Sequence, residues 1–504
     1  AAPATAPSAR SPRPSPRSRR AAVLRRCAAM IRKLLVANRG EVAIRLARAA
    51  AELGVASVAV YATDDADAAH ARRADRAVPL PGAGPAAYLD VAAIVACARA
   101  TGCDALHPGY GFLSERPALA RACADAGLVF VGPSADALAR LGDKTAARRL
   151  AGELGVPVLP GTDGPTTLTE AHAALAAQGP GGAIMVKAIG GGGGRGLRAV
   201  TDPAQLADAF ARCASEAAAA FGAPALYVER LVARARHVEV QIVADGHRAI
   251  ALGDRDCTLQ RRHQKLVEIA PAPGLPAALR AALAGHAVRL AEAVGYASLG
   301  TFEFLVELDA DHAPIAAYFL EANPRLQVEH TVTEEVLGVD LVVAQLALAG
   351  GASLAALGLD RAPAPPSGHA IQLRLNAEQL TADGAPVPAA GAIQALDLPT
   401  GPGVRVDTLA HTGATISPAY DSLIAKLIVR ARGPALADAL AKAGRALAEL
   451  RVDGVPTNAG VLAALVAHPD VRAGRFTTWF VEEHAAALLA TARAAAPAPA
   501  PVAP

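Results

Sequence analysis

The sequence predicts a mixed α/β fold, α+β in part, and three observations carry that prediction. From Met30 to Val131, short apolar runs alternate with helical spacing, the pattern of a parallel sheet with helices on its faces. Between Ala183 and Val200, two strand-like runs flank five consecutive glycines, Gly190 to Gly194. Beyond residue 233, long alternating runs such as GTFEFLVELDADHAPIAAYFLEANPR read as antiparallel hairpins.

Taken in order, residues 1–29 are almost all Ala, Pro, Ser and Arg, from which no core can be built. Such an acid-free leader reads as an extension upstream of the real start, with an organelle transit peptide as the alternative. Met30 is followed at once by a strong first strand, Ile31 to Ala37. Asn38-Arg39-Gly40 makes a turn, Glu41 to Leu53 has helical spacing, and Gly54 stands where a C-terminal cap is expected. A strand ending at Tyr61, a helix over 88–100, and strands at Ala105-Leu106 and Leu128–Val131 complete a first domain, 30–145. A second, 146–232, carries strands Ala183–Ala188 and Gly196–Val200 around the glycine run. The third, 233–475, holds the hairpins, the basic turn QRRHQK, the strands GHAIQLRLNAE and SLIAKLIVR, and a closing helix over 434–450. The uncharged run Leu341 to Leu359 contains Gln345, Gly350 and Gly351, so it predicts two buried helical pieces rather than a membrane span. Residues 476–504 read as a C-terminal helix and, after about 488, an Ala/Pro-rich linker or stub.

Composition bounds the partners. The net charge of +3 becomes −4 once the seven arginines of residues 1–29 are set aside, so nothing global points to nucleic acid. The six cysteines form no C-x-x-C pair and are scattered, which indicates reduced, cytosolic usage. A cytoplasmic location is expected, with organelle import if the leader is a transit peptide.

The chemistry concentrates in Glu321 to Glu329, EANPRLQVE, where Glu321, Asn323, Arg325, Gln327 and Glu329 fall at alternate positions. In an extended chain these share one face, and the chain is expected to bend near Pro324. Glu321 and Asn323 suit a hard cation held by oxygens. Arg325 offers a fork for a planar anion, which leaves Glu329 as a base. The hairpin brings Glu303 toward Glu321, and two neighbouring carboxylates repel unless a cation lies between them. The five-glycine loop lets backbone N–H groups approach a ligand, yet it is no Walker loop: no G-x-x-x-x-G-K-[ST] occurs. Lys187 lies in an apolar strand beside it, where an unpaired ammonium would be costly and a phosphate would explain it. Lys144, in LGDK, is a weaker second candidate. Arg261, Arg262, His263 and Lys265 form a basic turn without interleaved aromatics, which favours a small-anion pocket over base stacking.

These motifs resemble one family. IRKLLVANRGEVAIR, HPGYGFLSE, FVGPSADALARLGDK, VKAIGGGGGRG, RHVEVQIVAD, RDCTLQRRHQK, GTFEFL, EANPRLQVEH, GHAIQLRLNAE and YDSLIAKL are similar, in order, to the biotin carboxylase component of biotin-dependent carboxylases, in the ATP-grasp superfamily. The resemblance spans about residues 30 to 475. It implies a Rossmann-like N-terminal domain, an ATP-grasp lid and a large C-terminal domain. It also implies a reaction in which ATP phosphorylates bicarbonate to carboxyphosphate, which yields CO₂ for biotin N1′, the first half-reaction of an acyl-CoA carboxylase. By this resemblance Lys144, Lys187, Gly191, Gly192, Gly193, His237 and His263 contact ATP, Glu229 and Leu231 lie in the adenine hinge, and Leu305 flanks the base. Glu303, Glu321 and Asn323 hold Mg²⁺ or Mn²⁺. Lys265, Arg325, Gln327 and Val328 surround bicarbonate, Glu329 deprotonates it, Arg374 stabilises the biotin enolate, and Tyr110 lies near the ureido ring. Ile189 and Arg230 depart from the residues usual in the family. A carrier lysine flanked by methionines is absent, since the chain has only Met30 and Met185. Biotin is therefore expected as a substrate borne on a carrier protein or domain, with a carboxyltransferase as further partner and a homodimer or larger complex as the assembly. The alternatives are another ATP-grasp carboxylate ligase and an inactive carrier-docking scaffold.

Overall fold

A computed structural model describes residues 30–190, 196–222, 224–381 and 385–495. Its first sheet is parallel and has the order β3-β2-β1-β4-β5, from β1 (Lys33–Val36), β2 (Ala56–Tyr61), β3 (Arg76–Pro79), β4 (Ala105–His107) and β5 (Val129–Phe130). The helix Gly40–Leu53 follows β1 and stops at Gly54, which takes the expected left-handed cap with φ 74°. The helix anticipated over 88–100 runs from Val91 to Ala100, and a separate short helix, Gly84–Ala87, precedes it. Asp90 separates them because its carboxylate caps the Ala93 N–H of the longer helix.

A three-stranded antiparallel sheet follows, ordered β7-β6-β8 from β6 (Ile184–Ala188), β7 (Leu197–Val200) and β8 (Leu226–Arg230). Helices Leu168–Ala176 and Leu206–Phe221 cover it through a small core that includes Ala171, Val186 and Val228. Gly191, Gly192 and Gly193 lie outside the described residues.

The largest sheet has eight antiparallel strands. Its order is β13 (Pro314–Asn323), β12 (Ala297–Leu308), β9 (Ala235–Asp245), β10 (Ala249–Arg261), β11 (Gln264–Ala270), β14 (His369–Asn376), then strands Leu423–Ala431 and Val404–Thr408. The run 341–359 forms a buried helix, Leu341–Ala349, and a short one, Leu354–Leu357, broken at Gly350-Gly351 as its composition predicts. No helix among the described residues is long and apolar enough to cross a membrane.

The C-terminal part departs from expectation. The helix over 434–450 is present as Leu436–Glu449 but closes nothing, since helices Ala459–Ala467, Pro469–Arg472, Phe480–Glu483 and Ala485–Ala495 follow. The stretch after 488 is helical to Ala495, with Leu488 and Leu489 buried in the same core as Leu440 and Leu462. Alanine is the best helix former, so an Ala-rich run with two leucines on one face docks as a helix rather than trailing as a linker.

The large sheet buries charge at its centre. Arg255 of β10 is fully buried, and its Nε donates to Glu239 Oε1 at 2.5 Å. Its Nη1 donates to Gln241 Oε1 (2.7 Å) and Thr333 Oγ1 (2.9 Å), and its Nη2 to Thr301 Oγ1 (3.1 Å) and Gln327 Oε1 (2.7 Å). One guanidinium thus ties β9, β10 and β12 to the chain that leaves β13. Replacing Arg255 by Met leaves Glu239 with Lys265 alone and the buried oxygens of Gln241 and Gln327 without their donor, so the expected loss is about 3–5 kcal/mol of stability, read as a lower urea midpoint.

His107, at the end of β4, accepts the Gly109 N–H at Nδ1 (3.0 Å) and faces Gln345 Oε1 with Nε2 (3.1 Å). Complete burial drives its pKa down to about 3, so the folded protein keeps the ring neutral. Between that value and the roughly 6.5 of an exposed imidazole, the unfolded chain binds the extra proton. Stability is therefore fully present above pH 6.5 or so and is lost as pH falls through that window. Unfolding midpoints measured from pH 7 to pH 4 should fall less steeply in His107→Gln than in the wild type.

Candidate active site

Register places the chemistry in rows. Glu321 pairs with Glu303, Glu303 with Glu239, and Glu239 with Arg255, so four charged side chains share one face across β13, β12, β9 and β10. The register slips between Glu303 and Phe304, where β13 carries one extra residue, Leu320. That bulge sits beside Glu321 and re-aims the end of the strand. After Asn323 the chain leaves the sheet, and Glu329 stands at the N-cap of the helix His330–Leu337. The alternation read from EANPRLQVE therefore describes a strand only as far as Asn323, and the expected bend near Pro324 is present.

Lys265 is the hub. Its Nζ lies 2.8 Å from Glu239 Oε2, 3.1 Å from Glu303 Oε1 and 2.6 Å from Glu329 Oε1. Burial opposes its charge, and Cys257 with the three carboxylates overcomes that opposition, so its pKa stands well above the ordinary lysine value. Burial likewise pushes the Glu303 and Glu329 carboxyls up. Lys265 with His237 outweighs it at Glu303, and Lys265 with Arg374 and Arg255 outweighs it at Glu329, leaving both well below the usual range. His237 Nε2 lies 2.8 Å from Glu303 Oε2; burial disfavours the imidazolium, Glu303 favours it more, and its pKa is raised. Donor atoms of His237, Glu239 and Glu303 all lie within 4.8 Å of one another.

Glu303, Glu321 and Asn323 form the expected oxygen-rich corner. Asn323 Nδ2 donates to Glu303 Oε1 at 2.8 Å, and Lys144 Nζ lies 2.5 Å from Glu321 Oε2. Burial raises the Glu321 carboxyl, Lys144 more than compensates, and the group stays ionised. Two ionised carboxylates in direct register, with an amide between them and lysines as their counter-charges, fit a hard divalent cation that would take over the lysines' role.

Glu329 and Arg374 are also brought together. Arg374 Nη2 donates to Glu329 Oε2 at 3.0 Å, and its Nε donates to Glu268 Oε1 at 2.5 Å. Gln327 Nε2 donates to Glu303 Oε1 at 2.8 Å. Arg325 is turned toward Glu115 (Nε to Oε1, 2.5 Å) and Asn323 (Nη2 to Oδ1, 2.8 Å), so its fork is held by protein groups.

On the other side, Lys187 is not unpaired, as its place in an apolar strand suggested. It meets Glu229 Oε1 at 2.7 Å, and Arg148 meets Glu229 Oε2 at 3.0 Å. The Leu231 N–H donates to the Ala183 carbonyl at 3.0 Å, so that backbone donor is occupied. Leu305 and Tyr318 pack against a small apolar cluster of Leu159, Val232 and Ala235. His263 lies in the β10–β11 turn with φ 63°, edge-on to Trp479 at 5.8 Å between ring centroids. Burial, with Lys187 and His237 adding to it, lowers its pKa to about 4.

Tyr110 follows β4 in a loop that Asn38 clamps, its Nδ2 donating to the carbonyls of Pro108 (2.7 Å) and Tyr110 (2.8 Å). Gly109 has φ 66°, and a Cβ there would stand 2.9 Å from Asn38 Nδ2, so both conformation and space demand glycine. The Tyr110 hydroxyl donates to Glu41 of the first helix.

Glu239, Arg255 and Glu268 were missed by sequence reasoning, as were Glu115, Arg148, Glu41 and Lys426. A signal was available for Glu239 and Arg255: charged residues amid the apolar and β-branched positions of RHVEVQIVAD and DRDCTL, which read as strands. Glu41 and Lys426 carried none, since they lie 385 positions apart and their pairing exists only in the fold.

Comparison with known proteins agrees with this geometry. The chain matches the "Biotin carboxylase, N-terminal domain" family over residues 30–138, the "Carbamoyl-phosphate synthase L chain, ATP binding domain" over 143–357, and the "Biotin carboxylase C-terminal domain" over 372–483. It is 42% identical over 453 residues to a biotin carboxylase of Nostoc sp., covering 90% of this chain and 98% of that protein. It is 48% identical over 457 residues to pyruvate carboxylase 1 of Caenorhabditis elegans, 90% of this chain but only 38% of that protein's length. The biotin carboxylase domain of Hydrogenobacter thermophilus 2-oxoglutarate carboxylase, solved as a dimer with MgADP, ADP and bicarbonate, superposes with a TM-score of 0.85 at 37% identity, covering 91% of this chain and 98% of that one. The chain belongs to the biotin carboxylase family.

Proposed function

We propose that the chain carboxylates carrier-borne biotin at the expense of ATP and bicarbonate. The observation that carries the proposal is the single cluster in which Lys265 and Arg374 clamp the Glu329 carboxylate beside the Glu303–Glu321–Asn323 corner. Phosphoryl transfer is mostly positioning and charge neutralisation, and this cluster offers both.

In this reading Lys144, Lys187 and His237 take the nucleotide phosphates, and the slot lined by Leu305, Val232 and Tyr318 takes the base. Glu303, Glu321 and Asn323 hold Mg²⁺, which when bound neutralises phosphate charge. Bicarbonate enters between Lys265 and Arg325, drawing these cations away from Glu329 and Glu115. Glu329, ionised but weakly basic while Lys265 and Arg374 hold it, becomes a stronger base as the bicarbonate anion competes for them. It removes the bicarbonate proton as a bicarbonate oxygen attacks the γ-phosphorus and ADP leaves. The resulting carboxyphosphate breaks to CO₂ and phosphate. The phosphate so released takes the N1′ proton of biotin, Arg374 stabilises the resulting enolate of the ureido group, and N1′ bonds to the CO₂. His263 also contacts the nucleotide.

Biotin arrives on a carrier protein or domain, and a carboxyltransferase consumes the product. The acyl-CoA acceptor expected from the sequence gains no preference from similarity, because a pyruvate carboxylase stands among the relatives.

Purified protein should release ADP from MgATP only with bicarbonate, and faster with free biotin. Glu329→Gln should lower that turnover by about 10²–10⁴-fold, the usual worth of a positioned base, while MgATP binding is retained. Turnover that persists in Glu329→Gln would overturn the base assignment. In Arg374→Gln the biotin stimulation should vanish, and it is measured as the ratio of ADP release with and without biotin.

A further inference from the structure

Lys426 is a fully buried lysine, with no exposed surface, in the strand Leu423–Ala431. It stands in register with Arg374 on one side and Asp407 on the other, so all three point to one face of the sheet. Its Nζ donates to the Val328 carbonyl at 3.2 Å and lies 3.0 Å from Glu41 Oε1, with Asp407 Oδ2 farther off at 3.8 Å. Glu41 itself belongs to the helix after β1, on the parallel sheet, and accepts the Tyr110 hydroxyl on that same Oε1. Its other oxygen, Oε2, is buried and has no hydrogen-bond partner.

A buried ion pair is a poor device for stability, since apolar residues of similar volume often do as well. A buried carboxylate oxygen left without a donor makes this one poorer still. What the pair does provide is a bridge. It runs from Tyr110, on the loop after β4, through Glu41 and Lys426 to the Val328 carbonyl, one residue before Glu329. Lys426 also sits beside Arg374 across the ladder. Tyr110 and Val328 are thus joined through one buried ion pair, although they come from separate parts of the chain.

We propose that the Glu41–Lys426 pair is a positioning element for the acceptor side of the site, setting Tyr110 and the Val328 carbonyl against the ureido ring of biotin. The inference rests on the biotin carboxylase reading above. Neither residue touches substrate: the pair acts through Tyr110 and Val328. The nucleotide and metal groups are held by other contacts, Lys144–Glu321, Lys187–Glu229 and His237–Glu303. The pair should therefore govern affinity for biotin and leave affinity for MgATP nearly untouched.

The test uses the full chain and steady-state ADP release, with the KM for free biotin, bicarbonate and MgATP measured separately. The variants are Glu41→Gln/Lys426→Met, which removes both charges together and so strands neither, Glu41→Gln alone, Tyr110→Phe, and the double variant combined with Tyr110→Phe. The double variant should raise the biotin KM by about tenfold or more while the MgATP KM moves by less than about threefold. Glu41→Gln should show the same split if the double variant folds poorly. Adding Tyr110→Phe should raise the biotin KM little further, because residues acting as one unit are non-additive. A biotin KM unchanged in both Glu41 variants, a parallel rise in all three KM values, or full additivity with Tyr110→Phe would overturn the proposal. Absence of biotin-stimulated turnover in the wild type would overturn the underlying reading, and this inference with it.

Discussion

The centre of the site depends on one largely buried ammonium among three carboxylates. Glu239, Glu303 and Glu329 come from β9, β12 and the start of a helix, and Lys265 meets all three. Three carboxylates converging in a buried site would not stay ionised without it. The lysine thus sets the charge state of Glu303 and of Glu329 at once. Held by Lys265 and Arg374, the Glu329 carboxylate is only weakly basic, and in the proposed reaction an anion that recruited those cations would strengthen it.

Arg255 supports this hub from beneath. It occupies the second Glu239 oxygen and reaches Gln327 and Thr333, which flank Glu329 in sequence. The irregular chain from Pro324 to Glu329 has no ladder of its own to hold it. Its shape is fixed instead by side-chain bonds to the sheet, from Arg255, Gln327 and Lys426. The motif can therefore be short and still be rigid.

The pattern of periodicities that identifies strands and helices is local, and so the parallel sheet, the glycine-flanking strands and the Glu303–Glu321 hairpin were all legible in the sequence. The hairpin even brings its two carboxylates into direct register, as its two strands and short acidic turn imply. Ala-rich segments were the weak point. Alanine fits linker, helix surface and core alike, so the helices after 450, and the docking of Leu488 and Leu489, depend on tertiary packing that periodicity does not reveal. The candidate site was legible where one motif carries several polar residues at strand spacing. It was illegible where a motif's partner is remote: Lys187 looked like an ammonium awaiting phosphate because Glu229, which meets it, lies on a strand 42 residues on.

That last case bears on how the nucleotide side works. Lys144, Lys187 and His237 are each paired to a carboxylate in this structure, Glu321, Glu229 and Glu303 respectively. A phosphate ligand would have to compete for them. Buried cations without counter-charges would be strongly destabilising, so the carboxylates keep the unliganded site folded. The same carboxylates that stand in for phosphate at Lys144 and His237, Glu321 and Glu303, are the two best placed to take a divalent cation. In the proposed reaction a bound nucleotide would take these cations while a divalent metal would take Glu303 and Glu321, so each buried charge would exchange one counter-charge for another. The metal would offset part of the phosphate charge, so the buried site would not have to carry all of it.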